Sequence, residues 1–176
     1  MFTSVTHMKT IRLLIYIATQ SKWPILQIGL KSAFLNEILE EEVYVNQPEG
    51  YVKKSHEEKV LNLKKALYGL KQAPKAWNSR IDTYFKANGF MQCPYEHALY
   101  VKKKNKDILF VSLYVDDLIF IESNPQIFEE FKQAMILEFE MTDLGLMSYF
   151  LDLEVKQNNE GIFISQEAYA KKILKI

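Results

Sequence analysis

Two adjacent aspartates, Asp116 and Asp117, lie between two strongly apolar segments of the chain. Like unit charges about 4 Å apart repel each other by roughly 1 kcal/mol in water and about 4 kcal/mol at an effective dielectric of 20. A divalent cation relieves this repulsion, and Mg²⁺ prefers a few carboxylates together with water and phosphate oxygens. The pair is therefore a candidate metal site for phosphoryl transfer. Aspartate is also common in turns for backbone reasons, so the pair alone does not separate a metal site from a turn.

The segments on either side of the two aspartates have the composition of β-strands. Ile108–Val115 and Leu118–Ile121 are rich in β-branched and other apolar residues, and only Asp116 and Asp117 separate them. A two-residue connection is typical of a tight hairpin, and aspartate tolerates the positive φ that such turns can require. We therefore predict that both aspartates lie at the tip of a hairpin.

Apolar periodicity along the rest of the chain predicts alternating helices and strands. The predicted helices are Met8–Ser21, Pro74–Gly89, Pro125–Phe139 and Gln166–Ile176. The further predicted strands are Ile25–Leu30, Glu42–Gln47, Val60–Leu63, Ala98–Lys102, Met147–Lys156 and Gly161–Ser165. The two types are interspersed without strict βαβ alternation. This order favours the α+β class, with an antiparallel sheet packed on helices.

Composition limits the kinds of protein that the chain can be. With 176 residues, 48% of them hydrophobic, it can bury one substantial core. The 22 basic and 22 acidic residues cancel, so no strong basic field covers the whole molecule. Cys93 is the lone cysteine, and with His97 it supplies only two of the ligands that a zinc site needs. Apolar stretches are interrupted by charges, which predicts a soluble, intracellular protein without a membrane span.

Several segments between about Val5 and Ile176 are typical of one family. They are the Tyr-Val-Asp-Asp box in Ser112–Ile119, the long segment Lys64–Trp77, and the shorter segments Lys31–Asn36, Glu41–Tyr44, Gln47–Gly50, Met141–Gly145 and Ser165–Leu174. In both sequence and spacing they resemble the reverse transcriptases of Ty1/copia retrotransposons. The resemblance implies an RNA-directed DNA polymerase that binds an RNA or DNA template-primer and dNTP. It also implies that the protein acts inside the cell, in a cytoplasmic virus-like particle or the nucleus.

The resemblance implies a right-hand polymerase palm with part of the fingers and the start of the thumb. Residues 1–176 would form a partial reverse transcriptase domain. Fingers and palm would occupy roughly 1–110, the palm with its Tyr-Val-Asp-Asp hairpin and a primer-grip-like hairpin 111–165, and the start of the thumb 166–176. The family's basic fingers segment, the rest of its thumb and its ribonuclease H would lie outside this sequence, so we expect a chain truncated at both ends.

In this family three aspartates surround two Mg²⁺ ions, and two of the three would be Asp116 and Asp117, as catalytic and metal-binding residues. Ala33, Phe34, Gln72 and Tyr114 would contact the incoming nucleotide. Two of these residues have a plainer interpretation, because Phe34 can be a core aromatic and Gln72 a surface glutamine. The primer-grip-like residues would be Phe150, Leu151 and Asp152.

The chain departs from the family at positions that bear on activity. Gly29 occupies the place of the first metal-binding aspartate, and glycine has no side chain to bind a metal. Glu37 and Asp152 replace glycines of turns, where a side chain risks backbone strain, and His7 replaces an arginine. We therefore expect a catalytically impaired reverse transcriptase. The alternatives are a noncatalytic nucleic-acid-binding remnant and a translated fragment without function.

Overall fold

The computed structural model describes residues 6–175, apart from the side chain of residue 36. Its helices are α1 (Met8–Ser21), α2 (Ala73–Ala87), α3 (Pro125–Glu138) and α4 (Glu167–Leu174), with a 3₁₀ helix at Ala33–Asn36. The strands are β1 (Ile25–Leu30), β2 (Ile38–Asn46), β3 (Val60–Lys65), β4 (Met91–Cys93), β5 (Glu96–Lys104), β6 (Asp107–Tyr114), β7 (Asp117–Glu122), β8 (Met141–Leu146), β9 (Tyr149–Phe150), β10 (Leu153–Asn158) and β11 (Gly161–Ser165). Every pairing of strands is antiparallel, which confirms the predicted α+β class.

The chain divides into two compact units, which we describe separately. The hairpin unit, Ser32–Tyr84, contains the 3₁₀ helix, the β2–β3 hairpin and most of α2. Its buried apolar side chains are Ala33, Phe34, Leu39, Ala66, Ala73, Trp77 and Ile81. The sheet unit contains the remaining described residues, 6–31 and 85–175.

A six-stranded sheet forms the centre of the sheet unit, in the order β4-β5-β6-β7-β1-β8. Side chains alternate between the two faces of each strand, so each face can bury its own core. On one face Ile25, Ile119 and Ile121 join the core cluster that includes Ile11 and Leu14 of α1. The other face carries an aromatic cluster whose rings lie 4.6–5.9 Å apart and belong to Phe85, Phe90, Tyr100, Phe120, Phe128 and Phe131.

Most predicted elements agree with the structure to within a few residues at their ends. The predicted strand Met147–Lys156 was wrong in being continuous, because it is two strands, β9 and β10, joined by the turn Leu151–Asp152, and β4 and β8 were missed. β4 is three residues long, and β8 contains Gly145, whose positive φ of 70° accompanies a shift in register against β1. Neither strand has the regular alternation of apolar and polar residues on which strand prediction depends. No helix among residues 6–175 is long and apolar enough to cross a membrane.

The N-terminus of α1 is capped by a carboxylate from another element. His7 occupies the N-cap position without a capping bond from its own side chain. Glu96, on β5, accepts hydrogen bonds from the His7 backbone N–H (3.2 Å), His7 Nδ1 (2.9 Å) and Thr10 Oγ1 (2.7 Å). Burial raises the pKa of Glu96, but the bonds from Thr10 and His7 outweigh it and hold the pKa below its usual value. The negative charge also suits the positive end of the helix dipole.

Glu122, at the end of β7, yields a test of the core. Its side chain is 3% exposed, and its Oε2 has no hydrogen-bond partner among the described residues. Burial raises the pKa of Glu122, so the folded protein loses stability as pH rises through that pKa. We expect Glu122→Gln to raise the free energy of unfolding at pH 7 by about 1 kcal/mol, and chemical denaturation measures this.

The gain should disappear at pH 4, where the parent carboxyl is protonated and resembles the amide. The matched control is Glu58→Gln, because Glu58 is exposed and its replacement should change nothing at either pH. A loss of stability in Glu122→Gln at pH 7 would show that the ionised carboxylate is the favoured form.

Candidate active site

The two aspartates lie at the β6–β7 hairpin, but they do not share its tip. The ladder runs from Leu109 opposite Glu122 to Tyr114 opposite Asp117, so the two-residue turn is Val115–Asp116. The prediction that both aspartates occupy the tip was therefore wrong by one residue. Asp117 is a strand residue that pairs with Tyr114 on one side and with Gly29 of β1 on the other.

The turn itself is conformationally strained. Val115 has a φ of 53°, in the left-handed region that β-branched residues avoid. Such a conformation costs about 1–3 kcal/mol and persists only where the surroundings determine it. One such determinant is the bond from the Leu30 N–H to the Asp116 carbonyl oxygen, 2.7 Å long, which ties the turn to β1. The positive φ predicted for an aspartate thus falls on the valine before it.

Asp117 belongs to a row of three residues that crosses the sheet. Gly29 of β1 pairs with Asp117 of β7 on one side and with Thr142 of β8 on the other. Directly opposed residues project from the same face, with Cβ atoms about 4.5–5.5 Å apart. A side chain at position 29 would therefore lie beside the Asp117 carboxylate. Gly29 thus lies directly opposite Asp117 in the ladder.

Neither space nor backbone conformation requires a glycine at position 29. A Cβ atom built there would meet only Leu144 Cδ1, at 3.6 Å, which is ordinary van der Waals contact. The φ of Gly29 lies outside the left-handed region. The strand could therefore hold a residue with a Cβ atom at this position.

The environment of Asp117 favours a protonated carboxyl more than water does. Burial raises its pKa, the Gln27 amide opposes this by donating from Nε2 to Oδ1 (3.4 Å), and the neighbouring Asp116 charge raises it further. Desolvation disfavours the charged form, and a like charge nearby does the same. A cation would offset both effects, so this carboxylate is suited to an electropositive partner.

Other carboxylates near the hairpin do not take the place of an aspartate at position 29. Asp143 pairs with Ile28, so its side chain projects from the face of the sheet opposite to that of Gly29. There it accepts hydrogen bonds from Lys132 Nζ (3.0 Å) and the Gly145 N–H (2.8 Å). Glu140 forms an ion pair with Lys31, 3.4 Å long. Among residues 6–175, no group of three or more His, Cys, Asp or Glu side chains is arranged to hold a metal ion. The residues therefore do not fit a three-aspartate, two-metal site.

Tyr114 and the primer-grip-like residues lie together in the sheet unit. The Tyr114 ring meets the buried ring of Phe150 edge-on, with centroids 6.3 Å apart. The turn between β9 and β10 consists of Leu151 and Asp152, with φ values of 48° and 62°. Tyr149 donates a hydrogen bond from its hydroxyl to Asp152 Oδ1 (2.7 Å). Asp152 thus occupies a backbone conformation that suits glycine, as the sequence predicted.

The remaining predicted nucleotide-binding residues belong to the hairpin unit. Ala33 and Phe34 lie on the 3₁₀ helix, where Phe34 is 9% exposed and its ring centroid is 4.7 Å from that of Tyr68. Gln72 precedes α2, and its carbonyl oxygen accepts the N–H groups of Lys75 and Ala76. This geometry is compatible with both interpretations of Phe34 and of Gln72.

Glu37, in contrast, causes no strain, so that expectation was wrong. Its φ is −93°, in the extended region open to any residue. Its buried carboxylate pairs with Arg80 Nη1 at 3.2 Å. Burial raises the pKa of Glu37, and the Arg80 charge opposes that effect. The arginine offsets only part of the cost of burial, so the pKa of Glu37 stays above its usual value.

Sequence reasoning missed Gln27, whose side chain donates a hydrogen bond to Asp117. The available signal was a polar residue within the otherwise apolar strand Ile25–Leu30. A buried amide needs hydrogen-bond partners, so a glutamine at this position already indicates a specific polar neighbour.

Comparison with known proteins adds a family to this geometry. The family model for reverse transcriptase (RNA-dependent DNA polymerase) matches residues 1–176. The Retrovirus-related Pol polyprotein from transposon RE2 of Arabidopsis thaliana is 33% identical over 173 residues, which are 98% of this chain and 12% of that protein. The transposon Ty5-1 protein of Saccharomyces cerevisiae is 37% identical over 146 residues, 82% of this chain and 47% of that protein.

A third relative is the Retrovirus-related Pol polyprotein from transposon TNT 1-94 of Nicotiana tabacum, 30% identical over 176 residues, 98% of this chain and 13% of that protein. The chain thus spans about one eighth of the plant polyproteins that it matches. No solved structure gives a significant match. The chain belongs to the reverse transcriptase (RNA-dependent DNA polymerase) family, as a copia-like reverse transcriptase domain.

Proposed function

We propose that this chain is the RNA-directed DNA polymerase part of a copia-type element in a catalytically impaired form. Its partners would be an RNA or DNA template-primer and dNTP, encountered in a cytoplasmic virus-like particle or the nucleus. The observation that carries the proposal is the row in which Gly29 faces Asp117. This pairing supports a palm in which one carboxylate of the metal site would be missing.

The units support an assignment of polymerase parts. The sheet unit, with its β6–β7 hairpin and the adjacent β9–β10 turn, would be the palm and its primer-grip-like element. Within it α4 would begin the thumb, and the hairpin unit would contribute fingers and neighbouring palm. These assignments keep the proposed ranges of roughly 1–110, 111–165 and 166–176.

The residues of the site would take the following parts. Asp116 and Asp117 would bind Mg²⁺, which in such enzymes stabilises the charge of the transferring phosphate. Tyr114, Ala33, Phe34 and Gln72 would contact the nucleotide, and Phe150, Leu151 and Asp152 the primer. With two carboxylates instead of three, the chain would hold a divalent cation weakly, because affinity depends on the number of charged ligands.

Restoring the missing carboxylate tests the placement of the metal site. We expect Gly29→Asp to raise Mn²⁺ affinity about tenfold, since it adds a third carboxylate beside Asp117. Titration followed by electron paramagnetic resonance measures free Mn²⁺ directly. Gly29→Asn is the matched control, with nearly the same volume and no charge. Equal affinities in the parent, Gly29→Asp and Gly29→Asn would show that position 29 does not face the metal.

Primer extension tests the impairment itself. With a primed RNA template, dNTP and Mg²⁺ or Mn²⁺, we expect no extension by the parent chain. Any extension should be greater with Gly29→Asp than with the parent chain, because the substitution restores the third carboxylate of the family's site. Robust template-dependent synthesis by the parent chain would refute the impairment while leaving the family assignment intact.

A noncatalytic nucleic-acid-binding role is the second candidate, because the strand pairing around Gly29 is complete without the aspartate. In that case primer-template should bind without being extended. The affinity should fall as salt rises, since phosphate contacts release counterions.

Asp152 provides a separate test of where primer binds. It is exposed and places a negative charge at the turn that we assign to primer contact. We expect Asp152→Asn to raise primer-template affinity about threefold at low salt, since one repulsion with phosphate is removed, and less at high salt. Asparagine tolerates the left-handed backbone and keeps an oxygen for Tyr149. Fluorescence anisotropy measures the affinity, with Glu160→Gln in the distant β10–β11 turn as control; equal gains in both variants would contradict the assignment.

A further inference from the structure

Gln27 is a buried polar residue on an otherwise apolar face of the sheet. It projects from the same face of β1 as Ile25, and Ile25, Ile119 and Ile121 on that face belong to the core cluster. Gln27 is nevertheless only 8% exposed. A valine or isoleucine would fill such a position without the desolvation of an amide, so a buried glutamine indicates a requirement other than packing.

The geometry around Gln27 directs its amide to one side. On β8 its partner is Gly145, which has no side chain to offer. On β7 its direct partner is Ile119, and Asp117 is the diagonal neighbour two residues away. Diagonal neighbours on one face lie about 7–8 Å apart, within reach of a long side chain. Nε2 of Gln27 covers this distance and lies 3.4 Å from Asp117 Oδ1.

We propose that Gln27 is a positioning residue that holds the Asp117 carboxylate in the orientation required at the hairpin. The inference rests on the proposed function, because the orientation of Asp117 matters only if Asp117 has the part that we propose for it. A neutral amide donor restrains one carboxylate oxygen without adding a charge of its own. Outer partners of metal-binding carboxylates commonly act in this way.

A double-mutant cycle tests the contact without any metal. Gln27→Met keeps the length and unbranched shape of the side chain and removes the donor. Thermal midpoints are measured for the parent, Gln27→Met, Asp117→Ala and the double variant. We expect Gln27→Met to be more favourable in the Asp117→Ala background than in the parent, by about 2 °C or more, because only the parent loses a hydrogen bond to a carboxylate. Additive shifts would overturn the proposal.

A second measurement separates positioning from simple packing. In the Gly29→Asp background, Gln27→Met should weaken Mn²⁺ binding about tenfold while the protein remains folded. Gln92→Met is the matched control: Gln92 lies on β4 of the same sheet and donates to the His97 carbonyl and the Tyr100 hydroxyl, not to a carboxylate. Unchanged Mn²⁺ affinity in Gln27→Met would overturn the positioning role.

The two measurements fail independently. If Gly29→Asp itself does not raise Mn²⁺ affinity, the proposed metal site is wrong, and the thermal cycle still decides whether Gln27 and Asp117 are coupled. If Gly29→Asp raises the affinity but Gln27→Met leaves it unchanged, the metal site stands and the role of Gln27 falls.

Discussion

The candidate site depends on the antiparallel ladder between β1 and β7. Backbone hydrogen bonds fix Gly29 opposite Asp117 and Gln27 diagonal to it. A slip of one residue would move every side chain of β1 to the other face. Ile25 would then leave the core cluster, and Gln27 would lose Asp117. The core thus enforces the register, and the register in turn places the groups that could do chemistry.

The same ladder explains how a strained turn persists at the hairpin. Val115 adopts a φ that valine avoids, yet the strands on either side are fixed by buried residues such as Leu113 and Leu118. The Leu30 N–H adds a bond from a third strand to the Asp116 carbonyl oxygen. Packing free energy distributed over the sheet unit therefore outweighs about 1–3 kcal/mol of local strain. Strain of this kind, placed beside two carboxylates, agrees with a functional turn.

Sequence alone predicted most elements because their apolar periodicity is strong, as in α1 and in α3 with its Asn124 cap. Through the family resemblance it also predicted that Asp152 lies at a turn that suits glycine. It placed the turn of the β6–β7 hairpin one residue too late, because the apolar side chain of Val115 does not distinguish a strand residue from a turn residue. Glu37 was misjudged because its backbone is extended, with a φ of −93°, so a side chain at that position causes no strain.

The structure also explains why a chain with Gly29 keeps its fold. An aspartate at position 29 would place a second carboxylate directly beside that of Asp117, and like charges about 4 Å apart repel by about 4 kcal/mol at an effective dielectric of 20. Without a bound cation that charge opposes folding, and glycine removes it at the smaller cost of a weaker strand. Under the proposed function, stability and metal binding would therefore make opposite demands on position 29. With glycine there, the sheet, its register and the Gln27 contact are all in place.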